Sequence, residues 1–286
     1  MVKNASVVLV VLVVLAVGLA TMLLIQHSRH AVSVHAAEAT SAGGAVSPEK
    51  GKAEGAAAPA SRGMAAIGRA ATAGKYLFIF FNKSDDEQTR SMRKVFESTM
   101  TTMAAKADSV EINATDPSEK EIVDRFKVSR APMPLVLALA PNGAITAGLP
   151  NSFDAKQLMD AFVSPAMEKC LKALQERKLV LLCIQNGATK LNKEAMQGVQ
   201  DFKADARFAQ ATEVVTLNPT DDAEGKFLSQ LQVSPKPEEA TTVFLAPPAV
   251  VIFKTSGATA KENLVAALQA AMSSCGSGGC GSGGCR

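Results

Sequence analysis

The thiols are the groups in this sequence most able to do chemistry, and three of the five cysteines lie in its last twelve residues. Cys275, Cys280 and Cys285 are separated by repeats of Gly-Ser-Gly-Gly. Residues 274–286 have many glycines and no apolar side chain that could pack, so we expect a disordered tail that orders only when something binds it. The regular five-residue period makes these thiols the one chemical specialisation of the tail.

Three roles remain open for the tail thiols. Soft thiolates bind Cu(I) or Zn(II), although the four-residue gaps between these cysteines are wider than the two-residue gaps of tight zinc sites, and a fourth ligand is not evident. Exposed thiols also exchange disulfides with partner proteins in oxidising compartments. The third interpretation is a low-complexity end whose cysteines are oxidised incidentally.

The other cysteines and the histidines are weaker candidates. Cys170 shares an apolar stripe at helical spacing with Met167, Leu171 and Leu174, and Cys183 lies within an apolar run. Both are therefore predicted to be small buried hydrophobes that alkylate slowly in the native protein. His27, His30 and His35 are close enough in sequence to suggest a metal site, but we prefer a hydrated segment beside a membrane.

The N-terminus predicts export. Residues 5–25 carry no charge, and as a helix these 21 residues reach about 30 Å, the thickness of a bilayer's hydrocarbon core. We interpret residues 1–26 as a single-pass inner-membrane anchor, with a cleaved signal peptide as the alternative because Lys3 precedes the apolar run. Residues 27–62, rich in Ala, Gly, Ser and Pro, predict a flexible linker. In both cases we expect the body on the periplasmic or extracytoplasmic side of the cell envelope.

Composition limits what the body can bind. The sequence has 286 residues, 47% of them hydrophobic, so two domains of ordinary size with real cores are expected. The net charge is only +3, aromatic residues make up 5%, and there is no tryptophan. These values argue against a nucleic-acid partner, which needs a basic surface or aromatic stacking platforms.

The body is an internal duplication. At an offset of 105 residues, Val-Glu-Ile-Asn-Ala-Thr-Asp at 110–116 aligns with Val-Thr-Leu-Asn-Pro-Thr-Asp at 215–221. A fixed offset between two such similar segments indicates a repeated structural unit. We therefore predict two units of the same fold, at residues 63–163 and 164–273.

Each unit is predicted to follow the order helix, strand, helix, strand, helix, strand, strand, helix. Short continuous apolar runs indicate strands that are buried on both faces, and the polar stretches between them have helical spacing. The predicted strands are 76–81, 110–113, 135–140 and 145–147 in the first unit, and 179–184, 214–217, 242–246 and 250–253 in the second.

Paired polar residues mark several predicted helix starts. A metal or acid-base role is conceivable for such pairs, but capping of the helix N-terminus is the preferred interpretation. The pairs are Ser84 with Glu87 as a capping box, and Asp116 with Glu119 and Asp221 with Glu224 as N-cap and third helical residue.

This order of elements resembles the thioredoxin-like fold, and Arg-Ala-Pro-Met-Pro at 130–134 resembles the loop in which that family keeps a cis-proline beside its active site. The spacing to the turn at Asn142-Gly143 favours Pro134 as the cis residue, and the spacing from Val128 favours Pro132; we prefer Pro134. In the second unit Ala240 or Thr241 falls at that place. The resemblance implies an α/β fold with two tandem thioredoxin-like domains, each a mixed four-stranded sheet flanked by helices. These domains follow the N-terminal transmembrane helix and the disordered linker that are predicted above.

Neither unit carries the Cys-x-x-Cys pair that thioredoxin activity would require. In the family this pair follows the first strand at a helix N-terminus, where the helix dipole stabilises a thiolate. That place reads Asn-Lys-Ser-Asp-Asp-Glu-Gln-Thr at 82–89 and Gly-Ala-Thr-Lys-Leu-Asn at 187–192. We therefore expect a binding or scaffold protein rather than an enzyme. The resemblance implies a groove near the proline loop that can hold an extended polypeptide, and the expected partner is another envelope protein or a peptide. The alternative is a thiol-disulfide oxidoreductase that uses the tail cysteines.

Overall fold

The body folds as two successive units with the same order of elements. The computed structural model describes residues 61–276, and residues 274–276 by their backbone alone. The first unit contains α1 (Arg62–Thr72), β1 (Tyr76–Asn82), α2 (Glu87–Met103), β2 (Ala107–Asn113), α3 (Lys120–Arg125), β3 (Leu135–Leu139), β4 (Ile145–Pro150) and α4 (Ala155–Met159). The second contains α5 (Pro165–Gln175), β5 (Leu179–Ile184), α6 (Asn192–Ala204), β6 (Thr212–Leu217), α7 (Gly225–Gln230), β7 (Thr241–Ala246), β8 (Val250–Ser256) and α8 (Lys261–Gly276).

Each unit is built around a mixed sheet. The strand order of the first is β2-β1-β3-β4, in which β1 is parallel to β2 and antiparallel to β3, and β3 is antiparallel to β4. The second repeats this order as β6-β5-β7-β8 with the same directions. Every residue of β1 is buried, which explains its uninterrupted apolar sequence, because both faces of a central strand are covered. The two mixed four-stranded sheets that the resemblance implied are confirmed.

Alternate side chains of β1 pack on opposite faces of the first sheet. Phe78 and Phe80 enter one buried cluster with Phe96 of α2, whereas Leu77 and Ile79 enter a second cluster on the opposite face. Successive side chains of a strand point to opposite faces, so one apolar run contributes to two cores.

Helix α5 belongs to the cores of both units. Cys170 and Leu174 pack in the core of the second unit, whereas Leu171 packs in a core of the first. The sequence pattern placed these three residues on a single stripe; the structure divides them because the helix lies between two sheets. The side-chain amide of Gln175 donates to the carbonyl of Ile145 at 2.7 Å and accepts from its N–H at 2.9 Å.

The capping box predicted for Ser84 and Glu87 is wrong. Asp86 is the N-cap of α2, and its carboxylate accepts from the N–H of Thr89 at 2.8 Å, while Ser84 only donates its hydroxyl proton to that carboxylate. Hydrogen bonds from the Thr89 backbone and then Ser84 hold the pKa of Asp86 below its ordinary value. Asp86 prevails because its short side chain directly precedes the first helical residue, Glu87.

The acids at the next helix starts have divided roles. Asp116 and Asp221 cap as predicted, accepting from the N–H groups of Ser118 and Ala223 at 2.9 Å each. Glu119 and Glu224 are, as predicted, the third residues of the short 3-10 helices that these aspartates cap. Their carboxylates do not complete a capping box, however, because they bind the opening helix of each unit.

Glu119 is fully buried and closes the N-terminus of α1. Its carboxylate accepts from the Ser61 hydroxyl at 2.6 Å, the Arg62 N–H at 3.0 Å and the Gly63 N–H at 3.1 Å. Burial alone would raise the pKa of Glu119, but these hydrogen bonds outweigh it and hold the pKa below its ordinary value. The carboxylate therefore satisfies helix-terminal donors that have no partner inside the helix.

Glu224 takes the equivalent place in the second unit with fewer partners. One carboxylate oxygen accepts from the N–H of Ala166 at 2.9 Å, and the other has no hydrogen-bond partner in the described part of the chain. Pro165 occupies the position of Arg62 and has no N–H to donate.

The ends of the body differ slightly from the predicted boundaries. Ser61 is the buried N-cap of α1, so the fold includes the last two residues of the predicted linker. Helix α8 extends to Gly276, so the backbone at Cys275 is helical rather than part of a disordered tail. Within residues 61–276 no helix combines the length and apolarity needed to cross a bilayer. The predicted anchor at 1–26, the histidines, Cys280 and Cys285 lie outside the described residues.

Candidate functional site

The first unit has a charged loop where the resemblance would place a thiol pair. Asn82 ends β1, is buried, and donates its side-chain amide to Glu111 at 2.5 Å. Arg93 of α2 binds the same carboxylate at 2.8 Å and Asp85 at 2.6 Å. The hydrogen bonds to Glu111 and Asp85 raise the pKa of Arg93 above its already high ordinary value. Asp85 and Glu111 are thus held in ion pairs with Arg93, and Asp86 caps α2.

The proline loop, residues 130–134, is tied to this charged loop. Lys83 donates to the carbonyl of Ser129, directly before the loop, at 2.7 Å. The bond between Met133 and Pro134 is cis, so the cis residue is Pro134 and not Pro132. Pro134 is buried, whereas Pro132 is exposed.

A chain of hydrogen bonds fixes the position of Pro134. Its carbonyl accepts from the N–H of Asn151 at 2.7 Å, and the carbonyl of Asn151 accepts from the side chain of Gln88 at 2.9 Å. Asn151 has a φ of 64°, in the left-handed region that asparagine tolerates better than most residues. The loop is therefore held between α2 and the end of β4.

Backbone groups remain unpaired at the outer side of the proline loop. The carbonyl of Pro132 and both the N–H and the carbonyl of Met133 have no hydrogen-bond partner among residues 61–276. Unpaired backbone at the margin of a sheet can accept an added extended strand.

The second unit pairs part of the equivalent backbone, the Glu238 carbonyl and the Ala240 N–H, with its own chain. Lys190, in the loop after β5, forms a parallel bridge with Glu239. The N–H of Lys190 donates to the carbonyl of Glu238, and its own carbonyl accepts from the N–H of Ala240, each at 2.9 Å. Ala240 stands where the first unit has Pro134, and proline has no N–H to donate. The first unit therefore lacks a donor that this bridge requires.

Side chains hold the bridging loop of the second unit in place. The hydroxyl of Thr189 donates to the side chain of Asn192 at 2.6 Å, and Asn192 donates to the carbonyl of Asn186 at 2.7 Å. Sequence comparison places Ala240 correctly but does not reveal the bridge. The only signal for it is the replacement of a proline by a residue that has an N–H.

The two body cysteines lie in the cores. Cys170 is 2% exposed and Cys183 is 3% exposed, which confirms their predicted burial. Burial raises the pKa of each thiol to about 12, and the nearby charge of Glu224 contributes at Cys170. A thiol with so high a pKa forms little of the thiolate that attacks disulfides or binds metals.

The body does not assemble a metal-ligand cluster in the part that the structure describes, where no group of three or more such side chains occurs. Possible contacts to Cu(I) or Zn(II) therefore concern the tail, where Cys275 is placed by its backbone only. All three histidines precede residue 61, so Ser84 has no imidazole base within the body.

No protein-family model and no curated protein matches the sequence. Among solved structures, the first two thioredoxin domains of Eps1p from Saccharomyces cerevisiae match at 8% identity and a TM-score of 0.28, covering 75% of this chain and 98% of that one. The same part of Naumovozyma dairenensis Eps1p gives 9% identity and a TM-score of 0.28, covering 74% and 96%. The thioredoxin Deadhead of Drosophila melanogaster matches at 18% identity and a TM-score of 0.29, covering 35% and 92%.

Likenesses this distant carry no functional argument, so the assignment rests on the chain itself. Both sheets have the same order and directions, each unit opens with a helix before its central strand, and the first unit keeps a cis-proline before β3. The body of this protein is a pair of tandem thioredoxin-like units.

Proposed function

We propose that this protein is a membrane-anchored binding or scaffold protein whose first unit holds an extended polypeptide along the proline loop. The observation that carries the proposal is the unpaired backbone beside the cis bond of Pro134. The N–H and the carbonyl of Met133 have no hydrogen-bond partner among residues 61–276, whereas in the second unit the loop at the equivalent Glu239 is tied to Lys190 through the flanking Glu238 and Ala240. A bound polypeptide would supply the backbone partners that Met133 lacks.

Binding suits this site better than catalysis. The loop after β1 presents Lys83, Ser84 and Asp85 in place of thiols, and its charged groups are engaged in hydrogen bonds and ion pairs. Backbone hydrogen bonding is tolerant of ligand sequence, because it joins main-chain groups while the side chains of an extended ligand point to the two faces of the sheet. We therefore assign the first unit a partner with an unstructured segment, in the form of another envelope protein or peptide.

The site of action that we propose is the cell envelope. Residues 5–25 have the length and apolarity of a spanning helix, and residues 27–60 supply a tether to the body. Alkaline extraction of membranes tests the anchor. The full chain should stay in the pellet, and a chain lacking residues 1–26 should be released.

Protease digestion of intact cells with a permeabilised outer membrane tests the orientation, because a body on the periplasmic side should then be cleaved. A full chain that is released by alkali, or a body that is protected, contradicts the anchor or its orientation.

The tail is proposed to make thiol or soft-metal contacts. This proposal is supported by the contrast with the body, where Cys170 and Cys183 are buried and have raised pKa values. The rival function, thiol-disulfide oxidoreduction by the tail, is tested by insulin reduction with the intact chain and with a chain that ends at Met272. Turnover that disappears on truncation supports the rival. Stoichiometric Cu(I) or Zn(II) binding without turnover supports the metal role.

Site-specific photocrosslinking tests polypeptide binding directly. A benzoylphenylalanine in place of Pro132 should crosslink to reduced, carboxymethylated α-lactalbumin, which is permanently unfolded and has no thiol. The matched control places the same probe at Gly187 in the second unit, an exposed position beside the loop that is already bridged. Equal labelling from both positions, or none from Pro132, contradicts the proposal.

A further inference from the structure

The equivalent hairpin tips of the two units differ in whether another element covers them. In the first unit the tip, residues 142–145, is covered by α5 of the second unit. The side chain of Asn142 donates to the carbonyl of Glu168 at 3.0 Å, and Gln175 makes its two hydrogen bonds to the backbone of Ile145. Ala144 is fully buried, in the cluster that contains Leu171 of α5.

The tip of the second unit, residues 248–251, has no such cover within the described chain. Val250 is 50% exposed and Val251 is 46% exposed, and neither belongs to a buried cluster of the described residues. The pairing of the strands makes the two tips equivalent, since Ile145 lies opposite Leu139 and Val251 lies opposite Leu245. Adjacent exposed valines on an edge strand are a surface that another element can cover.

The other end of the body presents the complementary element. Helix α1 opens the first unit as α5 opens the second, and both are closed at their N-termini by equivalent glutamates. Aligning Gly63 with Ala166 places Gly68 at the position of Leu171 and Thr72 at the position of Gln175. Gly68 and Thr72 are both exposed, and a Cβ at Gly68 would meet nothing within 4 Å.

We propose that α1 of a second copy of this chain docks on the hairpin tip of the second unit, as α5 docks on the tip of the first. The larger side chain of each pair changes sides between the two contacts. The internal contact combines a large Leu171 on the helix with a small Ala144 on the tip, and the proposed one combines Gly68 on the helix with the larger Val250 on the tip. The open space at Gly68 leaves room for the valine, and the proposed pair has fewer side-chain carbons than the internal one.

The docking is head to tail, because it joins different surfaces of the two copies. A contact of this kind leaves one free α1 and one free tip at the ends, so it closes into a ring or extends as a row. It is weaker than the internal contact, since the Thr72 hydroxyl already donates to the carbonyl of Gly68 and can only accept one hydrogen bond from the tip.

Disulfide trapping between two differently tagged full-length copies tests the proposal. Both copies carry serine in place of the tail cysteines; one carries Gly68→Cys and the other Val251→Cys. After mixing and mild oxidation, the expected product is the heterodimer, formed about tenfold faster than with Gly187→Cys in place of Gly68→Cys, because docking raises the effective concentration of the thiols. Gly187 is also exposed with open space around it and reports random collision.

A further substitution separates docking from other contacts. Adding Val250→Glu to the Val251→Cys copy should abolish the excess crosslinking, whereas adding Met159→Glu, at an exposed apolar residue of the first unit, should leave it unchanged. Self-crosslinking of the Val251→Cys copy at a higher rate indicates tip-to-tip pairing and overturns the proposal. A rate equal to that of the Gly187 control overturns it as well. Neither result affects the proposal for the proline loop, whose residues take no part in this contact.

Discussion

Replacing Glu119 by glutamine should destabilise the protein much more than replacing Glu224, although the duplication makes the positions equivalent. Glu119 accepts hydrogen bonds on both carboxylate oxygens: Arg62 N–H donates to one, and Gly63 N–H and the Ser61 hydroxyl donate to the other. Glutamine offers only one acceptor oxygen, so its amide group must face at least one of these donors.

The size of the effect follows from the partners that are lost. A hydrogen bond to a charged group contributes about 1.5–3 kcal/mol, and the bonds that remain lose their charge assistance, so Glu119→Gln should cost about 2–4 kcal/mol. At Glu224 a single N–H, that of Ala166, is bonded, and the partnerless oxygen is already a penalty. Its replacement by glutamine should therefore change stability by less than about 1 kcal/mol in either direction.

Urea unfolding of the two variants and the parent, followed by circular dichroism from pH 3 to pH 7, measures both effects. Because the pKa of Glu119 is lowered in the folded state, its contribution is complete above the ordinary glutamate pKa of 4.5 and is lost as the pH falls through the lowered value. The gap between parent and Glu119→Gln should therefore narrow in acid. Equal losses in the two variants at neutral pH, or a gap that widens in acid, would refute this reasoning.

Three further predictions concern packing. Gly198→Ala should destabilise the protein by about 1–3 kcal/mol in urea unfolding, because the added Cβ would lie 1.7 Å from the Thr259 carbonyl oxygen. Gly68→Ala, whose Cβ would meet open space, should stabilise it by about 0.5–1 kcal/mol. A Gly198→Ala variant as stable as the parent contradicts the close approach. With the tail cysteines replaced by serine, the body thiols should react with iodoacetamide only as fast as the protein unfolds; fast labelling of the native protein contradicts their burial. Gln175→Ala should cost about 1–3 kcal/mol through two lost hydrogen bonds to β4, and exposed Gln200→Ala should be nearly neutral; similar losses in both contradict the interface.

The strands and their order were predictable because the apolar runs are short, continuous and repeated. The run at Tyr76 and the run at Leu179 each match an observed strand closely, since burial of both faces leaves no polar position to obscure the pattern. Because the body is duplicated, each element could be predicted from two separate segments of the sequence.

Contacts between distant parts of the chain were not predictable. The sequence pattern put Glu119 in a local capping box, but its partners are 56 to 58 residues earlier in the chain. The apolar stripe of α5 gave no sign that Leu171 faces another unit, because a stripe shows which residues are buried but not what buries them. The bridge between Lys190 and Glu239 was missed for a similar reason, since backbone pairing depends little on which side chains the paired residues carry.

Site-resolved amide hydrogen exchange of the full chain, with and without reduced, carboxymethylated α-lactalbumin, tests the central claim most directly. The N–H of Met133 has no partner within residues 61–276, while that of Lys190 is bonded to Glu238. If the first unit binds extended polypeptide along its proline loop, exchange at Met133 should be fast alone and slow when the unfolded protein saturates the site. Exchange at Lys190 should be slow throughout. A Met133 amide whose exchange is unchanged by saturating ligand would contradict the account.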